Sequence, residues 1–211
     1  DLHGLSGDVI RSTASYVTLE HLNLTGATAG AGFAPYDGNN KHYGAHTTIR
    51  DCRLYGNQYG VWINWGPAYT TVENCVIYNN SAAGVYAYSS GYTASDTRII
   101  NNTIVAENAN GLDLHSRVTV DAISNNIIVV SGEGKYGIRL DGTGPSDYND
   151  ICVTGGASVG YSSELTRTTL ADWIAATGLD SHSLSVDQLF ADPAGGDYHL
   201  KSAAGRYSPL G

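Results

Sequence analysis

The feature that most limits how this chain can fold is a short sequence pattern that recurs about every 24 residues. Four copies align at residues 48–54 (TIRDCRL), 71–77 (TVENCVI), 98–104 (RIINNTI) and 122–128 (AISNNII), with degenerate copies near residues 17–24 and 146–153. One position of the pattern is acidic or amide, at Asp51, Asn74, Asn101, Asn125 and Asn149, with spacings of 23, 27, 24 and 24 residues. Periods of 20–50 residues are typical of proteins built from stacked structural units.

A second motif follows each of the four copies and always begins with glycine. It reads GVWIN at residues 60–64, GVYAY at 84–88, GLDLH at 111–115 and GIRLD at 137–141, and GFAPY at 32–36 is a distorted earlier copy. Apolar and polar residues alternate in each, which is the period of a strand with one buried face. The motif therefore predicts a strand at the same point of every repeat.

Short strands joined by Gly and Asn turns at this period predict a parallel β-solenoid with three strands per coil. Alternation then stacks like residues on adjacent coils. It predicts two inward columns, one of Val61, Val85, Leu112 and Ile138 and the other of Ile63, Ala87, Leu114 and Leu140. The recurring Asn position predicts an asparagine ladder, because an amide side chain can hydrogen-bond to its copies above and below.

The paired motifs I-x-N-N-x-I and G-[IVL]-x-[ILV] resemble the repeat of the pectate-lyase-like right-handed β-helix superfamily, over roughly residues 17–153. The resemblance implies right-handed coils over residues 1–160, with residues 161–211 closing the same domain as in secreted bacterial β-helix proteins. It also implies a secreted or cell-surface location and a substrate groove on the glycine-led sheet. Within the closing segment, residues 168–177 are predicted to form one short helix, with Thr168 or Thr169 as N-cap and Gly178 past its end. No equivalent cap is visible at the N-terminal end, so uncapped coils are expected to allow end-to-end stacking into oligomers or filaments.

Composition excludes some partners. The chain has a formal net charge of −9 and only 15% charged residues, so it lacks the clustered cations that bind nucleic acid or an anionic membrane. Cys52 and Cys75 occupy the same slot of neighbouring coils and are expected to form a buried thiol stack, with the state of Cys152 open. Asp37, His42 and His46 lie in the long first loop and are expected to be solvated.

The glycine-led strands are expected to present two outward columns with an unusual composition. One contains Ala34, Trp62, Tyr86, Asp113 and Arg139, and the other contains Tyr36, Asn64, Tyr88, His115 and Asp141. Exposed strand faces are ordinarily rich in Thr, Ser, Lys and Glu, whereas aromatic rings suit the apolar face of a sugar. Tyr36, Trp62, Asn64 and Tyr86 are therefore predicted to bind substrate; the alternative is that stacked aromatic residues stabilise the coils or an interface.

The remaining residues of these columns suggest proton-transfer chemistry. Removing the C5 proton of a uronic acid needs a base, for which His115 is suited, with Tyr88 as proton donor and Arg139 neutralising the substrate carboxylate. Asp113 would orient His115 or share a Ca²⁺ ion with Asp141. The GLDLH segment is similar to the G-F-D-P-H segment of mannuronan C5-epimerases, although it lacks the proline.

Two function classes follow. The first is an enzyme of the lyase or C5-epimerase kind acting on an acidic polysaccharide, with a hydrolase using Asp113 and Asp141 ranked lower. The second is a non-catalytic extracellular module that binds glycan or builds a structure by stacking, in which the same residues form only a surface ion-pair cluster. The preference for the first rests partly on analogy of fold.

Overall fold

The computed structural model of the chain describes residues 7–36, 45–64, 66–88 and 93–201. These residues form 22 strands, numbered β1–β22 along the chain, and one helix, α1; strands β1–β20 build a solenoid and β21–β22 form a separate hairpin. Three sheets run along the solenoid. Each coil contributes one strand to each of them, so consecutive strands of the coils belong to different sheets. The predicted all-β parallel solenoid with three strands per coil and one short helix is confirmed.

The strands of each sheet follow in spatial order. The first sheet contains β1 (Ile10–Ser12), β4 (Ala31–Pro35), β7 (Tyr59–Asn64), β10 (Ala83–Tyr88), β13 (Asn110–Leu114), β16 (Tyr136–Leu140), β19 (Ser158–Ser162) and β20 (Leu165–Arg167). The second contains β2 (Thr18–Glu20), β5 (Thr48–Arg50), β8 (Thr71–Glu73), β11 (Ala94–Ile100), β14 (Val118–Ser124) and β17 (Ser146–Asp147). The third contains β3 (Asn23–Thr25), β6 (Arg53–Tyr55), β9 (Val76–Tyr78), β12 (Thr103–Glu107), β15 (Ile127–Ser131) and β18 (Asp150–Thr154). Every pairing within these sheets is parallel except that of β19 with β20.

The register of the first sheet matches the predicted inward columns. Val61 pairs with Val85, Val85 with Leu112, and Leu112 with Ile138. The second column, which runs from Ile63 to Leu140, is aligned in the same way, and both columns lie in one core cluster inside the coils. Burial of these side chains is the main favourable contribution to stacking the coils, because each coil alone cannot remove its apolar face from water.

The glycine that opens each motif is required by the closeness of the next coil. A Cβ atom added to Gly60 would lie 2.5 Å from the carbonyl oxygen of Gly84, and one added to Gly84 would lie 2.8 Å from that of Gly111. Gly111 meets the carbonyl of Gly137 in the same way, at 2.6 Å. Real Cβ atoms do not approach backbone this closely, so the recurring glycine marks where adjacent coils come into contact.

The asparagine ladder exists, but its predicted register was wrong by one residue except at Asn149, which was placed correctly. Asn101 and Asn125 are exposed and adopt left-handed backbone conformations, with φ of 57° and 56°. The buried ladder is formed instead by Asn102, Asn126 and Asn149, and the backbone N–H of Asn126 donates to Asn149 Oδ1 at 3.0 Å. Asn adopts the left-handed conformation more readily than most residues, so it is also suited to the exposed corner of a coil. An Asn at the corner and an Asn in the buried ladder therefore look alike in sequence.

Cysteine continues the ladder toward the N-terminal end. Cys75 and Cys52 occupy the ladder slot, and their Sγ atoms approach the carbonyl oxygens of Ile49 and Leu19 at 3.7 and 3.8 Å. Both are free and buried, which confirms the predicted thiol stack, while Cys152 is free and half-buried. Contact with Cys52, together with burial, raises the pKa of the Cys75 thiol well above its ordinary value. Cys75 therefore stays protonated and acts as a hydrogen-bond donor.

The helix α1 (Leu170–Thr177) covers the C-terminal end of the core. It begins two residues later than predicted because Thr169 is extended and serves as the N-cap, accepting from the Asp172 backbone N–H at 3.1 Å; Gly178 ends it with φ of 72°. Trp173 is fully buried against Gly160 of β19. The predicted filament requires the coils of one molecule to stack on those of another. At the C-terminal end, such stacking would have to displace the helix.

Asp180 joins the helix to the ladder. Its Oδ2 accepts from the Trp173 indole N–H at 2.8 Å, and its Oδ1 accepts from Asn149 Nδ2 at 2.9 Å and from the Ser183 hydroxyl at 2.7 Å. The carboxylate is buried, and these three donors satisfy it. The cap and the asparagine ladder are therefore one hydrogen-bonded unit.

Substituting Trp173→Phe is expected to lower the unfolding free energy by about 2–5 kcal/mol, because Asp180 Oδ2 loses its buried donor and the smaller ring leaves a cavity in the core. Urea unfolding measures this change. Leu165→Ala on β20, where the side chain is 57% exposed, serves as the control and should change stability by no more than about 0.5 kcal/mol. Equal effects of the two substitutions would show that Asp180 does not depend on Trp173.

A small antiparallel hairpin, β21 (Phe190–Asp192) and β22 (Asp197–Leu200), lies against the third sheet. Arg53 Nη2 donates to the Gly196 carbonyl at 2.5 Å, and the rings of Tyr78 and Tyr198 lie 5.1 Å apart. Within the described residues, no helix has the length and apolar character needed to cross a membrane.

Candidate functional site

A row of aromatic side chains covers part of the outer face of the first sheet. Tyr59 stacks on Tyr86 with ring centroids 4.6 Å apart and lies 5.5 Å from Trp62, while the rings of Trp62 and Tyr86 are 6.2 Å apart. Tyr88 continues the row at 6.5 Å from Tyr86 and is 41% exposed. The row is built by register, since Trp62 pairs with Tyr86 across β7 and β10. It forms one continuous aromatic surface over two coils.

The aromatic row ends against His115 on the next coil. The imidazole meets Tyr86 edge-on at 5.3 Å and Tyr88 at 5.5 Å with an interplanar angle of 90°. His115 directly follows β13, and its backbone N–H still bonds the Ala87 carbonyl at 3.0 Å. The imidazole is thus held at the border between the aromatic surface and the polar residues that follow.

Asp113 is the most buried member of the polar cluster, with only 9% of its surface exposed. Its Oδ2 accepts from Asn110 Nδ2 at 2.9 Å. Its Oδ1 lies 3.1 Å from His115 Nε2 and 3.7 Å from Arg139 Nε, yet it accepts no hydrogen bond within the described residues. Asp113 Oδ1 is close enough to Nε2 to stabilise a proton on that nitrogen, and Nδ1 is then the nitrogen of His115 that can accept a proton.

Arg139 lies between two carboxylates. Its Nε bonds Asp141 Oδ2 at 2.8 Å, and its guanidinium carbon sits 5.1 Å from the centroid of the Tyr161 ring. Arg139 pairs in register with Asp113 on one side and with Tyr161 on the other. These contacts fix the cation beside Asp113, and a depression of about 400 Å³ opens next to it, lined in part by Asp141, Tyr161 and Glu164.

The predicted site residues are distributed as follows. The structure brings Trp62, Tyr86, Tyr88, Asp113, His115, Arg139 and Asp141 together on one face, as the strand alternation implied. Asn64 lies in the same column but is only 6% exposed, so it offers little surface to a ligand. Tyr36 forms an isolated parallel β-bridge with Asn64. The guanidinium carbon of Arg11 lies 5.1 Å from the centroid of the Tyr36 ring. Asp37 and His42 lie outside the described residues.

Three site residues were missed in the sequence. Tyr59 and Asn110 occupy the position immediately before the glycine of the motif, where they pair with Ala83 of β10. Tyr161 pairs with Arg139 on the coil after the last clear repeat. The residue that precedes each glycine of the motif identifies the first two. The copy that contains Tyr161 (SVGYS) has its glycine one position later, since Gly160 pairs with Ile138 and not with Gly137.

Burial sets Tyr86 apart from an ordinary tyrosine. Desolvation, together with the neighbouring Tyr59 and Asp113, raises the pKa of Tyr86 to about 12. The phenol therefore stays protonated at all physiological pH values and is a poor proton donor to a leaving group. This leaves Tyr88, which is more exposed and also touches His115, as the better placed phenol.

The expected calcium ion has no ready set of ligands. Asp113 and Asp141 are the carboxylates in question, and both face Arg139. Nowhere in the described ranges do three His, Cys, Asp or Glu side chains gather in a way that could hold a metal ion. The guanidinium of Arg139 already lies between these two carboxylates. Calcium binding remains a prediction.

Comparison with known families identifies the class of this fold. The family described as right handed beta helix region matches residues 3–128, which is more than half of the chain. The chain therefore belongs to the right-handed β-helix family, and its coils have the hand that the repeat resemblance implied. Comparison with curated proteins and with solved structures gave no match.

Proposed function

We propose that the outer face of the first sheet binds an extended acidic polysaccharide and that the His115 cluster removes the C5 proton of a uronic acid unit. The observation that carries this proposal is the continuity of the aromatic row with the polar cluster, since Tyr86 and Tyr88 both touch the imidazole of His115. Sugar rings lying along the row would deliver one unit to His115. A secreted or cell-surface location is part of the same proposal.

Binding would use the aromatic row. Tyr59, Trp62 and Tyr86 offer ring faces and edges to the apolar faces of sugar units, while the Trp62 indole N–H is buried and has no hydrogen-bond partner in the described part of the chain. A buried donor without a partner costs free energy until something accepts from it. Because Nε1 is buried, a sugar hydroxyl can accept from it only after the side chains that cover it move.

The chemical step divides among four residues. His115 takes the C5 proton at Nδ1 while Asp113 stabilises the imidazolium that forms, and Arg139 binds the uronate carboxylate in competition with Asp141. In a lyase, the C5–H electron pair forms a C4–C5 double bond, the bond from C4 to the glycosidic oxygen breaks, and that oxygen takes a proton from Tyr88. In an epimerase, C5 regains a proton from solvent on its opposite face, the proton on His115 is released to solvent, and the glycosidic bond stays intact.

The second candidate is a glycan-binding module without catalysis. It is favoured by the pairing of Arg139 with Asp141 at 2.8 Å, because a guanidinium already neutralised by Asp141 gives less stabilisation to the charge that develops when C5 loses its proton. The two candidates share the binding face and differ only in whether His115 moves a proton. The predicted calcium ion would add positive charge for a uronan in either case, and a chelator tests for it.

Retardation in native gels that contain alginate or polygalacturonate tests the binding face. We expect Tyr86→Ala to abolish most of the retardation of the wild-type protein, because Tyr86 contacts every other ring of the row. Tyr55→Ala is the matched control, since Tyr55 also stacks on a tyrosine of the next coil but lies in the third sheet. Retardation lost equally in both variants, or absent in the wild type with and without Ca²⁺, would remove the proposal.

A further inference from the structure

A second ring stack lies on a corner of the solenoid beside the second sheet, away from the His115 cluster. Tyr16, His46 and Tyr69 stand on three successive coils, with ring centroids 4.6 and 4.3 Å apart and interplanar angles of 5°. All three have left-handed backbones, with φ between 54° and 60°, and their side chains are exposed. Because the stacking distances are close to the spacing of coils, the ring faces point along the solenoid.

The stack ends at Tyr69. The backbone N–H of His46 bonds Ala68 on the next coil at 2.9 Å, and that of Tyr69 bonds Ser95 in the same way at 2.9 Å. The next residue of the column is therefore Asp96, which is left-handed as well, with φ of 55°. In the part of the chain that the structure describes, no ring other than His46 stacks on Tyr69, and the position where the column would continue holds an aspartate.

A depression of about 400 Å³ opens at this point. It spans four coils and is lined, besides Tyr69, by polar side chains: His46, Thr48, Thr71, Asp96, Arg98 and Asp121. The Arg98 Nε to Asp121 Oδ2 distance is 3.7 Å, which is an ion pair too long to be a hydrogen bond, so the donors of Arg98 remain open to a ligand. Among the described residues, Asp96 forms no ion pair.

We propose that this depression binds one neutral hexopyranose unit of a glycan, with the apolar face of the sugar stacked on Tyr69 in place of the missing ring. Carboxylates and a guanidinium around an aromatic face are suited to the hydroxyl groups at the sugar's edge, since each is a strong acceptor or donor. Within the described ranges the carboxylate of Asp96 has no cationic partner, so its negative charge disfavours a uronate, whereas both carboxylates of the His115 cluster face Arg139. The ligand class therefore differs from that of the His115 face, and this inference does not rest on the function proposed there.

Saturation-transfer NMR with the methyl pyranosides of glucose, galactose and mannose tests the site. We expect transfer from the protein to the protons on one face of at least one of these sugars, and weaker transfer to methyl glucuronoside. Tyr69→Ala should weaken binding about tenfold or more, as for the loss of a central aromatic contact. Tyr16→Ala, at the opposite end of the stack, should leave the affinity within about twofold, since it does not line the depression.

Tyr69 is half exposed, so its removal is not expected to unfold the chain, and thermal unfolding followed by circular dichroism checks this. If Tyr69→Ala nevertheless lowers the melting temperature, Asp96→Asn provides the second test and should weaken binding by itself. The proposal is overturned if the wild type gives no transfer to any neutral sugar. It is equally overturned if the transfer persists in Tyr69→Ala and disappears in Tyr86→Ala, which would assign the binding to the first sheet.

Discussion

Replacing Asn126 by Gly is expected to lower the unfolding free energy by about 2–6 kcal/mol, since two buried backbone groups lose their partners at about 1–3 kcal/mol each. The Ile99 carbonyl accepts from Asn126 Nδ2 at 2.9 Å, and the Asn102 backbone N–H donates to Asn126 Oδ1 at 3.0 Å. Neither group can turn to water, because the ladder lies inside the coils. A loss of this size is a large part of the 5–15 kcal/mol that stabilises a typical domain.

The same substitution at the preceding residue is the matched control. Asn125 is exposed and has φ of 56°, a conformation that glycine adopts without strain. Asn125→Gly should therefore change stability by no more than about 0.5 kcal/mol. Chemical denaturation of the two variants decides the register of the ladder: a large loss in Asn125→Gly and a small one in Asn126→Gly would contradict the hydrogen bonds described above.

His115→Ala is expected to slow the C5 chemistry by about 10²–10⁴-fold, which is the usual contribution of a positioned general base. Two readouts cover both reactions. A lyase creates a C4–C5 double bond that absorbs near 235 nm, whereas an epimerase run in D₂O exchanges the C5 proton for deuterium and reduces its NMR signal. Alginate and polygalacturonate, each with Ca²⁺ or with a chelator, are the substrates.

Three variants separate proton transfer from binding and folding. Tyr88→Phe keeps the ring against His115 and removes the phenol, so a lyase should lose rate while gel retardation is unchanged. Asp113→Asn should slow the reaction through the imidazolium that it stabilises. His182→Ala removes an exposed imidazole that pairs with Asp147 and should have no effect on either readout. If wild-type protein gives neither signal on any substrate but binds them, the non-catalytic module is the better description.

Much of the fold could be predicted because stacking repeats the same environment on every coil. The alternation around Gly60, Gly84 and Gly111 fixes which side chains face inward, and one strand of each coil is enough to recognise the sheet. Asp113, His115 and Arg139 were recognised as neighbours for the same reason, since residues in register on adjacent strands lie close together. The repeat period therefore predicts which side chains are close in space.

The ladder shows where such reasoning fails. Asn101–Asn102 and Asn125–Asn126 are identical pairs of letters, and only the backbone conformation tells the exposed corner residue from the buried one. The last copy has Tyr148 at the corner, with φ of 60°, so matching asparagine to asparagine aligned Asn149 with the wrong partner. The left-handed turn is a three-dimensional requirement that several residue types satisfy.

The sequence by itself determined the parallel solenoid, its period, its inward columns and the residues that meet on the outer face of the first sheet. These follow from local alternation and from a repeat length that brings equal positions together. Only the tertiary structure decided how Asp180 ties Trp173 to the ladder, that Arg139 is held between two carboxylates, and that the Tyr16–His46–Tyr69 stack stops beside a depression. Each of these depends on side-chain direction or on contacts outside the repeat, where periodicity carries no information.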